Sequence, residues 1–548
     1  MKVLGYSSLN HDSSVTLIED GVILACYSEE RFTRDKYDMC SSPWMAFDQI
    51  QKDFNFDISD PDVVVSTATP VWTDHDFLKK ILEKKREVWV YEHGDAHAMG
   101  SYLTSGFKEK TLVIAFDSTS SSNFFKRKVT ADDLDKVHKQ EFNSNYFNVY
   151  IGEGTDLTLM ERVNGNPTGL SCNYFSAINN VGGYWSTMTT KAYDFKPKDE
   201  GKIMGLAPQG NFDKKLYDKL EELFNFDNGV SPVYQHFLND LKVSGYFEDD
   251  QNRKDFAYTM QRVSEDFIIN LLNDLHKKYP ECRKLCLSGG FFANVKVNQK
   301  INEYLGFEEL YVIPAMGDDG LSLGAALLKA NELGIAKNKR LENAFLGKGY
   351  TNDEIYDTIK DRNITIKPLD TEYLAEQLAS GKLVGLFRGR AEYGPRALGN
   401  RTILCDPRAR ENHAYINRKL GRNEIMPFAP IIMSEYISDV CYAYKSLRAA
   451  EFMTLCFTVK DKWIDRVQAV VQNDDATCRA QVIFKERNPF CSDVLSEFNK
   501  ITGVPVLLNT SFNIHGEPII NHPIHAMDHL QNGIVDILVL NNMIVEMR

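Results

Sequence analysis

The chain has 548 residues, 43% of them hydrophobic and 25% charged, and a formal net charge of −13. This length points to two or three globular domains, and the acidic balance argues against general binding to nucleic acid or to an anionic membrane. No apolar run approaches the ~20 residues that cross a bilayer, and the start MKVLGYSSLNHDSS lacks a basic-then-apolar leader, so a cytoplasmic location is expected.

In chain order, KVLGYSS, SVTLIED and VILACYSEE read as strands, with a turn at Gly21. EVWVYEH is a strand running straight into a helical segment. TLVIAFDSTS is a strand ending on Asp117, and KLCLSGG is a short apolar run that breaks on two glycines before FFANVKVNQKI. Repeated strand, glycine turn and helix over roughly 330 residues predict a large two-lobed α/β unit with ligand sites at strand ends. The polar stretch 331–343 reads as a linker, and expected domains are 1–345 and 346–548. The second runs from TNDEIYDTIKD through KLVGLF and an arginine-rich turn to VPVLLNTSFN.

His93 and His97 have the i, i+4 spacing that places two imidazoles on one helix face, where they can share a metal. Asp318, after the strand LYVIPA, and Asp117 are candidate carboxylate ligands, and each is equally well placed as a helix cap. Imidazole plus carboxylate suits iron, zinc or manganese. Ser288-Gly289-Gly290, Gly317-Asp318-Asp319-Gly320 and Asp199-Glu200-Gly201-Lys202 are turns that let backbone N–H groups approach phosphate. The densest signal is FRGRAEYGPRALGNRTILCDPR, with Arg388, Arg390, Arg396, Arg401 and Arg408 among glycines and apolar residues. Arginine forks of this kind bind phosphate or carboxylate bidentately. Asn509 and Ser511 follow a strand and offer polar groups to an anion. His11 follows the first strand, where an imidazole can act as general base. The ten cysteines include no C-x-x-C pair and read as free thiols.

NHDSSVTLIEDG, SEERFTRDKYD, HGDAH, DEGKIMGLAPQG, LSGGFFANVKVN, GDDGLSLGAAL, GRAEYGPRALGNRTILCDPR, MPFAPIIM and TGVPVLLNTSFNIHGEPI together resemble the O-carbamoyltransferase family of nodulation-factor and antibiotic biosynthesis, over nearly the whole chain. The resemblance implies an N-terminal α/β domain of the actin/Hsp70/sugar-kinase type, similar to the threonylcarbamoyl-transfer protein of tRNA modification, and a smaller C-terminal YrdC-like domain. It implies that carbamoyl phosphate and ATP give carbamoyl-adenylate, and that the carbamoyl group passes to a hydroxyl, less often a nitrogen, of a small-molecule acceptor of secondary metabolism. ATP and a divalent metal are the implied cofactors, iron first, with magnesium accompanying ATP; a homodimer is left open. Carried over residue by residue, His93, His97, Asp318 and Asp117 become metal ligands and His11 the general base. Glu200, Gly201, Lys202, Gly289, Gly290 and Asn294 become the adenylate pocket. Arg388, Arg390, Arg396, Arg401, Lys419, Arg422, Arg479, Asn509 and Ser511 become the carbamoyl phosphate and ATP pocket. Residues 123–150 are the expected lining for the acceptor.

Two departures stand out. The family places glycine after the aspartate that is Asp117 here, and this chain has Ser118. The family's Asp-Gly-Thr-x-Arg reads Asp475-Ala476-Thr477-Cys478-Arg479, preceded by Gln472 and Asn473 where the family has a histidine. The first departure keeps a non-catalytic nucleotide-binding scaffold open as an alternative, and the superfamily keeps a kinase open.

Overall fold

The structure is a computed structural model. It describes residues 1–8, 11–39, 41–67, 75–85, 87–121, 127–131, 144–165, 181–223, 233–304, 306–422, 427–443, 447–472 and 474–548. The chain forms two compact units: Met1–Leu24 with Cys40–Leu341, and Ala25–Met39 with Glu342–Arg548. A short N-terminal segment thus belongs to the C-terminal unit, which reading the chain as two consecutive stretches does not capture.

The first unit carries one strand order twice. Strands β1 (Lys2–Ser7), β2 (Ser14–Glu19), β3 (Val22–Ser28), β4 (Val63–Thr67), β5 (Val88–Tyr91) and, after β6 (Thr111–Ser121), β7 (Arg127–Val129) make a sheet of order β3-β2-β1-β4-β5-β7. Here β1 is antiparallel to β2 and parallel to β4, and β4 is parallel to β5. The β2–β3 turn holds Asp20 and Gly21 at φ 48° and 73°, the left-handed pair of a type I′ hairpin. The second sheet joins β6, β8 (Ser144–Glu153), β9 (Asp156–Gly165), β10 (Lys284–Ser288) and β11 (Glu309–Val312) in the order β11-β10-β6-β8-β9. Its first strand, β6, is antiparallel to β8 and parallel to β10, and β10 is parallel to β11. Both sheets therefore run 3-2-1-4-5 with the same directions, which is the doubled α/β architecture of the actin and sugar-kinase type.

The duplication positions the site. In each half the fifth strand leads into a buried helix, His93–Ser105 after β5 and Leu321–Glu332 after β11. The two helices meet backbone to backbone at Gly324, where a Cβ would lie 1.9 Å from the carbonyl oxygen of Ala96. Only glycine fits there, and the contact fixes the start of one helix against the start of the other. The expected linker is bonded down rather than loose. Lys339 and Leu341 donate backbone N–H groups to Leu103 at 3.1 Å and Thr104 at 2.8 Å. Strand β4 and the hairpin β8–β9 are not among the expected strands, although Phe147, Val149 and Ile151 alternate with Asn148 and Tyr150.

The second unit is built on an eight-stranded mixed sheet. Its strands are β12 (Ile364–Pro368), β13 (Val384–Phe387), β14 (Arg401–Cys405), β15 (Ala429–Met433), β19 (Gln481–Ile483), β20 (Val506–Ser511), β21 (Ile537–Leu540) and β22 (Met543–Met547), in the order β12-β22-β21-β13-β14-β20-β15-β19. A small sheet joins β16 (Cys441–Tyr442), β17 (Phe457–Val459) and β18 (Thr477–Cys478). Thr351 and Glu354 form a capping box on the helix Asn352–Ile359, inside the segment TNDEIYDTIKD. The strands β13, β14, β15 and β21 are buried along their whole length, as strands covered on both faces must be.

Acid should loosen this unit. His525 Nδ1 accepts the backbone N–H of His522 at 3.3 Å, which requires an unprotonated nitrogen. Burial, then Arg34, His522 and His529, lowers its pKa from 6.5 to about 4. A depressed histidine contributes stability that is complete above the unfolded value and is lost as pH falls toward the folded one. Thermal melts should therefore drop from pH 6.5 to about 4. The cost is about 2 kcal/mol after discounting for partial exposure, and His525→Gln should flatten the slope.

Candidate active site

Four side chains of the first unit converge on one point. His93 and His97 sit on the first turns of their helix, one turn apart, which brings their Nε2 atoms to 3.1 Å. Asp117 Oδ2 lies 3.1 Å from His97 Nε2 and 3.5 Å from His93 Nε2. Asp318 Oδ1 lies 3.4 Å from His93 Nε2 and 3.6 Å from His97 Nε2. Asp117 does not end its strand: β6 runs on to Ser121, and its register with β8 slips between Phe116 and Ser120. A bulge of this kind re-aims a side chain. Both histidines are buried, and among the described residues these four form the group able to hold a metal ion.

The donor set fits a metal. Bonds of 2.0–2.2 Å in a tetrahedron put donors ~3.3–3.6 Å apart, close to the 3.1–3.6 Å spacings around the two histidines. Without a metal the carboxylates favour charge on the histidines. Burial opposes charge on His93, but Asp318 and Asp117 outweigh it and raise its pKa to about 10. His97 is raised in the same way. Burial likewise opposes ionisation of the two aspartates, but the histidines facing them hold both well below the usual carboxylate range.

Behind the helix lies a polar network that sequence reading missed. Glu92 caps the helix by accepting from Asp95 N at 2.9 Å, and Arg162 donates to Asp95 at 2.9 Å and to Asn148 at 3.1 Å. Tyr150 completes it with a 2.6 Å bond to Asp95. Asn148 and Tyr150 are the part of the expected acceptor lining, 123–150, that makes these contacts; 123–126 and 132–143 lie outside the described residues.

His11 stands next to the cluster, its Nε2 3.6 Å from Asp318 Oδ2. Asp318 thus turns one oxygen to the two histidines and the other to His11. Two further neighbours were not anticipated: Asp12 Oδ2 at 2.8 Å from Nδ1, and Lys198 Nζ at 2.8 Å from Nε2. Lys198 is 187 positions away in the chain, so no local pattern reveals it.

The expected adenylate residues divide. Gly290 faces Asp117, whose Oδ1 lies 3.2 Å from the position of a Cβ, so this turn borders the cluster. Gly289, at φ 96°, is required by fold, because a Cβ there would meet the Phe116 carbonyl at 2.1 Å. Glu200, Gly201 and Lys202 open the helix Glu200–Leu206, with Lys202 paired to Asp199 at 2.6 Å. Asn294 has a role in the fold itself. Its Oδ1 caps the helix Val295–Tyr304 through Val297 N at 3.1 Å, and its Nδ2 donates to Gln261 at 2.8 Å. Both ends of the amide are engaged with protein.

The arginines of the second unit also divide. Arg401 is fully buried, stacks on Phe387 at 3.7 Å and donates to the carbonyls of Arg388, Asn400, Lys348 and Gly389. Arg390 donates to the carbonyls of Gly347 and Leu346. These two tie the loop together through its backbone carbonyls. Glu392 completes the scaffold by accepting three backbone N–H groups, from Leu398, Asn400 and Arg401 at 2.8–2.9 Å. Arg31, from the N-terminal insert, donates to Gly394 O at 2.9 Å. Arg388 stacks on Phe490 at 3.8 Å and donates to the Asn541 carbonyl. Arg396 is half-buried.

Arg422 and Arg479 lie outside the arginine-rich turn. Arg422 reaches Thr510 Oγ1 at 2.6 Å and Ser511 Oγ at 3.0 Å, and burial alone lowers its pKa to about 10. Arg479 has a buried Nε with no hydrogen-bond partner among the described residues, and its pKa is lowered by burial. Neither forms an ion pair with a carboxylate among the described residues. Lys419 donates to the Gly533 carbonyl. Asn509 donates to Ala397 O at 3.1 Å and Gln481 Oε1 at 2.9 Å, while its buried Oδ1 has no hydrogen-bond partner among the described residues.

The loop before Arg479 carries strain. Ala476 sits at φ 54°, beside an Asp475 carboxylate that accepts Thr477 N at 3.1 Å and Thr477 Oγ1 at 2.6 Å. The left-handed backbone costs a non-glycine residue about 1–2 kcal/mol, partly offset by the extra freedom glycine gains when unfolded. Ala476→Gly should therefore stabilise the protein by about 0.5–1 kcal/mol in denaturant titration.

Known proteins place the chain. Residues 2–88 and 71–327 match the family model described as Carbamoyltransferase N-terminus, and residues 375–547 match Carbamoyltransferase C-terminus. An uncharacterised protein of Methanocaldococcus jannaschii, MJ1051, is 31% identical over 98% of both chains. Nodulation protein NolO of Bradyrhizobium diazoefficiens is 30% identical over 83% of this chain and 79% of its own. A solved structure of full-length HypF, in the phosphate- and nucleotide-bound form, is similar at 15% identity with a TM-score of 0.37, covering 61% of this chain and 55% of that one. The chain belongs to the carbamoyltransferase family and is an enzyme that transfers a carbamoyl group.

Proposed function

We propose that the enzyme makes carbamoyl-adenylate from carbamoyl phosphate and ATP and passes the carbamoyl group to a hydroxyl of a small molecule of secondary metabolism. The observation that carries this reading is a two-histidine, two-aspartate cluster with the His11 imidazole 3.6 Å from one of its carboxylates.

The first half-reaction is assigned to residues 346–548, as a YrdC-like domain. Arg422, Arg479, Lys419, Arg388 and Arg396, with Asn509 and Ser511, take the phosphate and carboxylate oxygens. Water cleaves carbamoyl phosphate to carbamate and phosphate; a carbamate oxygen then attacks the α-phosphorus of ATP and pyrophosphate leaves. The second half-reaction is assigned to residues 1–345, where Glu200, Gly201, Lys202, Gly289 and Gly290 cradle the adenylate. A divalent metal held by His93, His97, Asp117 and Asp318, iron in this reading, would polarise the carbamoyl carbonyl as a Lewis acid. His11 Nε2 takes the acceptor's proton as its oxygen attacks the carbamoyl carbon, and the bond to the phosphate oxygen breaks to release AMP. Among the described residues no helix is long and apolar enough to cross a membrane.

Incubation with carbamoyl phosphate, ATP and a divalent metal, without acceptor, tests the first half. AMP and pyrophosphate should appear only when carbamoyl phosphate is present, whereas ADP would turn the reading to a kinase. His11→Ala should abolish transfer and leave AMP release largely intact; full transfer by that variant removes the base assignment.

A further inference from the structure

We infer that Lys198 is a positioning residue that, with Asp12, holds His11 as the Nδ1–H tautomer with the lone pair on Nε2. This rests on the reading of His11 as the base for carbamoyl transfer.

The argument begins with donors and acceptors. A lysine ammonium has three N–H donors and no acceptor. Its 2.8 Å contact with His11 Nε2 is a hydrogen bond only if that nitrogen is unprotonated. A carboxylate is acceptor-only, so the 2.8 Å contact between Asp12 Oδ2 and Nδ1 requires a proton on Nδ1. The two contacts select the same neutral tautomer from opposite sides of the ring. That tautomer keeps its lone pair on Nε2, the nitrogen beside Asp318, and an incoming hydroxyl donates to it by displacing the Lys198 ammonium. An imidazole free in water has no such constraint and would divide its population between tautomers, halting part of the enzyme in a form that cannot accept the proton at the reacting side.

The backbone supports a functional reading of both anchors. Lys198 is at φ 72° and Asp12 at φ 58°. Both lie in the left-handed region that costs a non-glycine residue about 1–2 kcal/mol, and strain of that kind persists where surroundings over-determine it, commonly at functional sites. For Lys198 the strain also supplies a test. If the residue served only the fold, glycine would serve it better, because glycine takes this φ without penalty.

The experiment labels the full chain with 15N-histidine and records histidine side-chain resonances of wild type, Lys198→Gly and Lys198→Arg, with His11→Gln to assign the signal. In wild type the far-downfield, non-protonated resonance of His11 should belong to Nε2 and the protonated one to Nδ1. Lys198→Gly should lose that pattern while melting at the same or a higher temperature, Lys198→Arg should keep it, and methylammonium added to Lys198→Gly should restore it. A wild-type His11 protonated at Nε2, or a Lys198→Gly variant that keeps the wild-type pattern, overturns the inference. The transfer reading fails separately, through His11→Ala that still transfers, because the tautomer measurement uses no substrate.

Discussion

His97→Ala is expected to strip the protein of bound divalent metal and abolish carbamoyl transfer while leaving carbamoyl-phosphate-dependent AMP formation in place. His97 Nε2 makes the two shortest approaches in the cluster, 3.1 Å to His93 and 3.1 Å to Asp117, and a third to Asp318 at 3.6 Å, so its loss opens three edges of the ligand polyhedron at once. Changing a partner outside the ligand shell already costs 10–100-fold in metal affinity, and removing a ligand should exceed about 100-fold. The primary readout is metal content by elemental analysis after dialysis against a chelator, which depends on no substrate. Because His97 is only 3% exposed, alanine leaves a hole; His97→Gln, closer in volume, controls for packing. Retention of stoichiometric metal by both variants would falsify the ligand assignment.

Much of this site was legible, for a local reason. An i, i+4 histidine pair after a strand and aspartates at strand ends are short-range patterns, and a sheet of the actin type brings its strand ends together. The twofold repetition of the strand order carries the rest: His93 and His97 begin the last helix of one half, and Asp318 immediately precedes the last helix of the other. Less legible was anything decided by what a side chain meets across the fold. Lys198 and His11 are neighbours only in space. Asn294 was read as a ligand contact although an asparagine ahead of a helical run is also a cap, and capping is its observed use. The same limit applies to the arginines, where Arg401 of the arginine-rich turn is held by four backbone carbonyls and Arg479, outside that turn, has a buried Nε with no hydrogen-bond partner among the described residues.

That contrast gives the second large effect. Arg401→Ala should fail through stability, because it removes a buried guanidinium that four backbone carbonyls share and leaves them unsatisfied. Its melt should fall steeply, by the equivalent of about 3 kcal/mol or more. Arg479→Ala should behave in the opposite way. Its guanidinium forms no ion pair with a carboxylate among the described residues, and burial depresses its pKa. Removing it therefore relieves a desolvated charge and should leave the melt unchanged or higher. In the proposed reading its partner is the bound carbamoyl phosphate, and truncating one side of such a buried charge pair should cost activity about 2–5 kcal/mol, or roughly 30- to 5,000-fold. The loss should appear in carbamoyl-phosphate-dependent AMP formation, with metal content untouched, since the metal cluster lies in the other unit. If Arg479→Ala melts early and Arg401→Ala does not, the division of the arginines into anion binders and loop supports is wrong, and the pocket must be sought elsewhere in the second unit.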